Sequence, residues 1–123
     1  MPERQNTIAI VIADKSPLVQ TGLAGIFGKD ERFTLLATAA DGERFMQAVE
    51  RLAFDIGIIG WDMPYMNGRQ VLEALGETPA PPRIVVYTGN TAPGIPRRVM
   101  ELGGAAFCHK SEPPGQPRPA DRL

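Results

Sequence analysis

An acid, a hydroxyl and two lysines close strand-like runs in this chain. Asp14 and Lys15 follow TIAIVIA, and Gly60, Trp61 and Asp62 follow FDIGII. Thr88 ends RIVVYT, and Lys110 follows AAFCH. In an open parallel α/β sheet, ligands sit beyond the C-terminal ends of the strands. A carboxylate, a hydroxyl and an ammonium group gathered there would make a phosphoryl or metal site. Other candidates are poorer. Gly22, Gly25 and Gly28-Lys29 lack the full G-x-x-x-x-G-K-[ST] phosphate-loop spacing. Gly22 and Gly25 fall inside an amphipathic helix, where close packing is the better reading. His109, the one histidine, ends a strand and reads as structural or solvated. Cys108 reads as inert packing in an apolar strand. Trp61 suits either a partner anchor or a loop residue packed on its own domain. Arg97-Arg98 is too short for a nucleic-acid patch.

These residues meet only if strands and helices alternate. Residues 7–13 form a continuous β-branched run, as in a strand buried on both faces. Ser16-Pro17 then supplies an N-cap and a first-turn proline. Leu18, Val19, Leu23, Ile26 and Phe27 follow at helical spacing, and Gly28 closes the element. Residues 33–39 predict a second strand. Asp41 caps a helix carrying Phe45, Ala48, Val49 and Leu52. Residues 54–59 predict a third strand, and Asn67 caps a short helix carrying Val71, Leu72 and Leu75, ended by Gly76. After the loop TPAPPR come a fourth strand at 83–88, a weak helix at about 96–102 and a fifth strand at 105–109. The order βαβαβαβαβ implies an α/β fold, a parallel sheet with helices on both faces.

The 123 residues are one domain's worth, with 43% apolar and 22% charged residues. Thirteen basic against fourteen acidic residues give a net charge of −1, so nothing drives the chain toward nucleic acid or an anionic membrane. No apolar run approaches a membrane span, and the N-terminus lacks the pattern of a signal peptide. One cysteine excludes an internal disulfide and a multi-cysteine zinc site; a reducing cytoplasm fits best. Pro113, Pro114, Pro117 and Pro119 leave no room for a helix near the C-terminus. The expected division is a domain at 1–111 and a Pro-rich tail or linker at 112–123.

The stretches AIVIADKSPLVQTGL, DIGIIGWDMPYMNG, IVVYTG and ELGGAAFCHKS carry a resemblance. Over residues 8–111 the chain resembles the receiver domain of bacterial two-component response regulators. The resemblance implies a doubly wound, flavodoxin-like sheet of five parallel strands in the order 2-1-3-4-5. The family's fifth helix would be missing or degenerate here, because the Pro-rich tail takes its place. In the family, two adjacent acids after strand one hold Mg²⁺, and an aspartate ending strand three takes a phosphoryl group. A Thr or Ser after strand four and a Lys after strand five contact that group, and an aromatic on strand five acts as a switch. Carried over residue by residue, Asp14 is the first acid and Lys15 replaces the second. Gly60 stands at the phosphoacceptor position, Thr88 and Lys110 match, and Phe107 stands at the switch.

Glycine has no side chain with which to form an acyl phosphate. Mg²⁺ wants hard oxygen ligands, and Lys15 brings an ammonium group in place of a carboxylate. The expectation is therefore a degenerate receiver, not an enzyme, with no cofactor, no bound Mg²⁺, and Asp14 paired with Lys15 and Lys110. It would act as a phosphorylation-independent interaction or dimerisation module in signal transduction or transcription control. Its partner would be another protein or a second copy, with no membrane. ADKSPLVQTGL looks most like the subgroup with a helix-turn-helix output. DNA would be reached only through such an output domain, which these 123 residues do not contain. Two alternatives remain: a small-molecule sensor using the void that Gly60 leaves beside Thr88, and a receiver phosphorylated at Asp62.

Overall fold

A computed structural model describes residues 7–110. The strands are β1 (Ile8–Ala13), β2 (Phe33–Ala39), β3 (Ile56–Ile59), β4 (Arg83–Thr88) and β5 (Ala106–His109). They form one five-stranded parallel sheet in the order β2-β1-β3-β4-β5. Four helices lie among the described residues: α1 (Pro17–Gly28), α2 (Gly42–Arg51), α3 (Gly68–Leu75) and α4 (Ile95–Glu101). The fold is the flavodoxin-like one expected. The tail at 112–123 and the loss of a fifth helix fall outside the described residues.

Local chemistry starts three of the helices. Ser16 Oγ accepts from the Val19 N–H at 3.3 Å, and Asp41 Oδ1 accepts from the Arg44 N–H at 2.8 Å. Asn67 and Gln70 form a reciprocal capping box at the start of α3. No side chain caps α4, which follows Gly94 and starts one residue earlier than the sequence suggests. β3 starts two residues later than expected. Asp55 Oδ2 accepts the Ala9 N–H at 2.8 Å, so a carboxylate occupies the donor that a longer strand would use. Thr7 likewise joins β2 through its side chain, 2.7 Å from the Thr34 hydroxyl, rather than through the ladder.

Alternation along the strands divides the interior. Val11, Ile59, Val86 and Phe107 face α2, α3 and α4, packing with Phe45, Val71, Leu72 and Val99. Ile10, Ile12 and Ile58 face the other way and meet Leu23 and Phe27 of α1. The α1 stripe is narrower than its spacing suggests, because Leu18 is 81% exposed and Ile26 48%. The close-packing reading of Gly22 and Gly25 is wrong: a Cβ at either would meet nothing within 4 Å. Both glycines therefore only weaken α1, by about 1 kcal/mol each relative to alanine.

Gly57 is the opposite case. A Cβ there would lie 2.5 Å from Cζ of Phe45 and 3.0 Å from Cδ1 of Ile84. Phe45 is fully buried, with its ring edge-on to Phe54, so it has nowhere to retreat. Two alanine substitutions should thus act with opposite signs. Gly22→Ala should raise unfolding stability by about 0.5–1 kcal/mol. Gly57→Ala should lower it by about 1–3 kcal/mol, and Phe45→Leu in the same chain should recover part of that loss. Urea midpoints of the four chains would check this.

Candidate functional site

Parallel strands deliver their C-terminal ends to one edge, and main-chain bonds continue past the strands to hold them there. Asp14 N donates to Ala39 O at 3.0 Å, Gly60 N to Ala13 O at 2.9 Å, and Lys110 N to Thr88 O at 2.9 Å. Asp14, Lys15, Gly60, Asp62, Thr88 and Lys110 consequently line one pocket of about 160 Å³, together with Trp61 and Gly89. Phe107 is not at this pocket; it is buried in the core beneath α4.

Asp14 is 3% exposed. Its Oδ2 lies 3.1 Å from Lys110 Nζ, and its Oδ1 accepts the Ser16 N–H at 2.9 Å. Gln20 Nε2 donates to the Asp14 carbonyl at 2.8 Å, tying α1 to the same turn. A buried carboxylate needs such partners, since a lone charge away from water is costly. Lys110 also sits 5.9 Å from the centre of the Tyr87 ring. Burial first, and then the Cys108 and Asp14 charges, raise the pKa of the Tyr87 hydroxyl above its usual value.

A Cβ at position 60 would lie 2.9 Å from Asp14 Oδ2. The Asp14 carboxylate thus fills part of the space that a side chain at 60 would need, and the void beside Thr88 is smaller than the substitution alone implies. The expected Asp14–Lys15 pair does not form. Lys15 is exposed, and among the described residues it has no ion pair. The Asp14 oxygens are already committed to Lys110 and the Ser16 amide, and the chain turns into α1 at once.

Asp62 is exposed and accepts from Asn90 Nδ2 at 2.9 Å. Asn90 N donates to the buried Thr88 hydroxyl at 3.1 Å, and Asn90 Oδ1 accepts from Ala92 N at 2.9 Å. Asn90 therefore links the loops after β3 and β4, a role that the sequence reading missed. Its signal was the Thr-x-Asn spacing, which suits side-chain-closed turns. Trp61 is partly buried and packs against the α2–α4 core. This donor set does not suit Mg²⁺: Asp14 is engaged by Lys110 and a backbone amide, Asp62 by Asn90, and the other charged side chains lining the pocket are the lysines Lys15 and Lys110.

A doubly wound sheet with its polar cluster beyond the ends of β1, β3, β4 and β5 defines a class of α/β domain with its site at the strand switch point. The family model for the response regulator receiver domain matches residues 10–117. The chain belongs to that family. It is 33% identical over 107 residues to the probable transcriptional regulatory protein SgaR of Hyphomicrobium methylovorum, covering 87% of this chain and 51% of that protein. The chain thus spans about half the length of this curated relative. The receiver domain of the putative response regulator NarL from Mycobacterium tuberculosis superposes with a TM-score of 0.83 at 22% identity, covering 88% of this chain and 87% of that one. RcsB from Salmonella enterica serovar Typhimurium, bound to promoter rprA, superposes with a TM-score of 0.81 at 22% identity, covering 89% of this chain and 63% of that one.

The Asp14–Lys110 pair has a measurable signature. Lys110→Met should lower stability by about 3 kcal/mol, because it strands a buried carboxylate. Asp14→Asn with Lys110→Met should lose less than Lys110→Met alone, because the amide keeps the Ser16 bond without the charge. A double-mutant cycle by denaturant unfolding should give a coupling of about 2 kcal/mol.

Proposed function

We propose that this domain is a receiver that works by protein contact without taking a phosphoryl group at position 60. The observation that carries the reading is the Asp14 carboxylate beside Gly60, closed onto Lys110. By the family resemblance, Gly60 occupies the acceptor position, and it offers no oxygen nucleophile. Lys110, which the family aims at a phosphoryl group, is held by an internal carboxylate instead. The cluster is thus neutralised by its own residues, and the loops around it keep one arrangement through Asn90 and Asp62. Mg²⁺ has no part in this reading.

Two exposed apolar residues lie in segments beside this cluster. Leu18 opens α1 at 81% exposure, and Tyr65 in the loop after β3 is 80% exposed. Tyr65 has φ 65°, and Met66 N closes a three-residue turn onto Pro64 O at 2.6 Å. A bulky residue in the left-handed region is strained, and this turn displays its ring to solvent. Such side chains suit a protein partner or a second copy. The similarity to SgaR supports a place in transcription control, with DNA met through an output domain of a longer protein. No helix among the described residues is long and apolar enough to cross a membrane, and the cytoplasm is the compartment we assign.

Acetyl phosphate with Mg²⁺ should leave the intact mass unchanged. A stoichiometric phosphoryl adduct would sink the reading, and mapping it to Asp62 would make that residue a surrogate acceptor. Gly60→Asp alone should bind Mg²⁺ poorly by calorimetry, since the new side chain meets the Asp14–Lys110 pair. Adding Lys15→Asp should restore binding.

A further inference from the structure

A bulge in the edge strand decides what α2 can cover. β2 is the outermost strand, and its register to β1 slips at Leu36, which has no partner there. Such a slip turns the following side chains to the other face. Phe33 and Leu35 pack on the α1 side, whereas Ala37 and Ala39 pack on the α2 side. α2 therefore meets two alanines at the sheet edge and offers a third, Ala48, in return. Three methyl groups do not fill the space, and no further strand closes it. A groove of about 230 Å³ remains between α2 and β2.

The wall of this groove is basic. Arg44, Gln47 and Arg51 of α2 line it, and no acidic side chain does. Positions 44 and 51 are two helical turns apart, about 10.5 Å along the axis, with 47 between them. Both arginines are exposed. Arg51 has no ion pair among the described residues. Arg44 meets only the buried Asp41, with Nε 3.8 Å from Oδ2, a long contact that leaves its terminal nitrogens unengaged. Glu43 and Glu50, the acids of α2, sit about a quarter turn further round the helix and do not line the groove. Leu52, 38% exposed, adds an apolar end.

We propose that this groove binds an extended acidic segment of a partner protein. Two carboxylates would lie on Arg44 and Arg51, with a small apolar side chain between them on the alanine floor. Charge complementarity chooses this occupant, because a carboxylate matches the guanidinium fork in a bidentate pair. The spacing suits an extended chain. Side chains on one face of a strand repeat about every 6.7 Å, so carboxylates two positions either side of a central residue are about 13 Å apart. The length of the arginine side chains spans the difference from their own separation. Gln47, between them, carries both a donor and an acceptor for the main chain of the segment. A nucleic acid fits less well: two arginines make a short track for phosphates, and alanines offer no ring on which a base could stack. The groove shares no residue with the pocket around Gly60, so it stands whether or not position 60 takes a phosphoryl group.

A titration of the isotopically labelled full chain, followed by its amide resonances, tests this. The probe is a nine-residue peptide of serine and threonine with a central valine and a glutamate two positions to either side. It should shift the amides of residues 37–39 and 44–52 saturably and leave those of 60–62 and 88–90 in place. Arg44→Gln and Arg51→Gln should each weaken binding about fivefold, and added sodium chloride should weaken it further through screening. Ala48→Leu keeps both charges and should abolish binding by filling the floor. Absence of a saturable shift would overturn the proposal. So would equal binding by the peptide with glutamine in place of both glutamates. A shift of the same amides by an oligouridine but not by the peptide would overturn it too, giving the arginines to nucleic acid. The titration of the unaltered chain decides the matter even if a variant misfolds.

Discussion

A carboxylate buried at the end of β1 is the constraint around which the site is arranged. Asp14 is almost wholly removed from water, and Lys110 and the Ser16 amide supply the partners that a buried carboxylate needs. Meeting that demand ties three parts of the chain together. Lys110 must follow β5 closely, and the Thr88 carbonyl holds its amide at 2.9 Å. The turn into α1 must bring the Ser16 N–H round, which it does in the same step that uses Ser16 as the helix cap. The backbone at 60 must leave room, and glycine does. A buried ion pair of this kind adds little net stability over an apolar replacement, but removing one member is expensive. Its effect is to specify one arrangement of the strand ends.

The same pair bears on the family's chemistry. By the resemblance, Lys110 matches the Lys after β5 and Gly60 stands at the acceptor position. In a site where a side chain at 60 reached forward, that side chain would compete with Asp14 for the space and for the ammonium group. Here the competition is absent, and the cation is satisfied from β1. The two loops that flank the pocket are joined independently by Asn90 to Asp62, on residues 28 apart in the chain. Both links are internal, so the site end can hold its shape with no bound group supplying charge. Leu18 and Tyr65, in segments beside this end, are exposed to solvent.

What could be read from the residues follows the range of the forces involved. The strands announced themselves through β-branched runs, and Ser16, Asp41 and Asn67 announced helix starts, because capping acts within three residues. The collection of Asp14, Gly60, Thr88 and Lys110 at one edge followed from the parallel order of the strands. The facing of Leu18 and Ile26 did not, since helical spacing allows a wide stripe and only the sheet decides how much of it is covered. Asp55 shortened β3 by placing its carboxylate on the Ala9 amide, a contact across 46 residues that no local pattern signals. Lys15 sits beside Asp14 in sequence, yet adjacent residues leaving a strand point apart, so proximity in the chain was a poor guide to pairing. Gly22 and Gly25 looked like packing residues because a helix usually resists glycine, and their open surroundings show that this helix simply tolerates them.

The two faces of the sheet divide the fold's stability unequally. Three helices bury Phe45, Val71, Leu72 and Val99 against one side, and that side carries most of the interior. The α1 side relies on Leu23 and Phe27 over Ile10 and Ile12, on a helix that two exposed glycines weaken. Yet α1 begins at the turn that supplies Asp14 with its amide partner, and Gln20 of its first turns holds the Asp14 carbonyl. The weaker face therefore borders the charged cluster directly. α1 thus touches both an apolar groove on this face, through Leu23 and Phe27, and the charged cluster, through the Ser16 turn and Gln20.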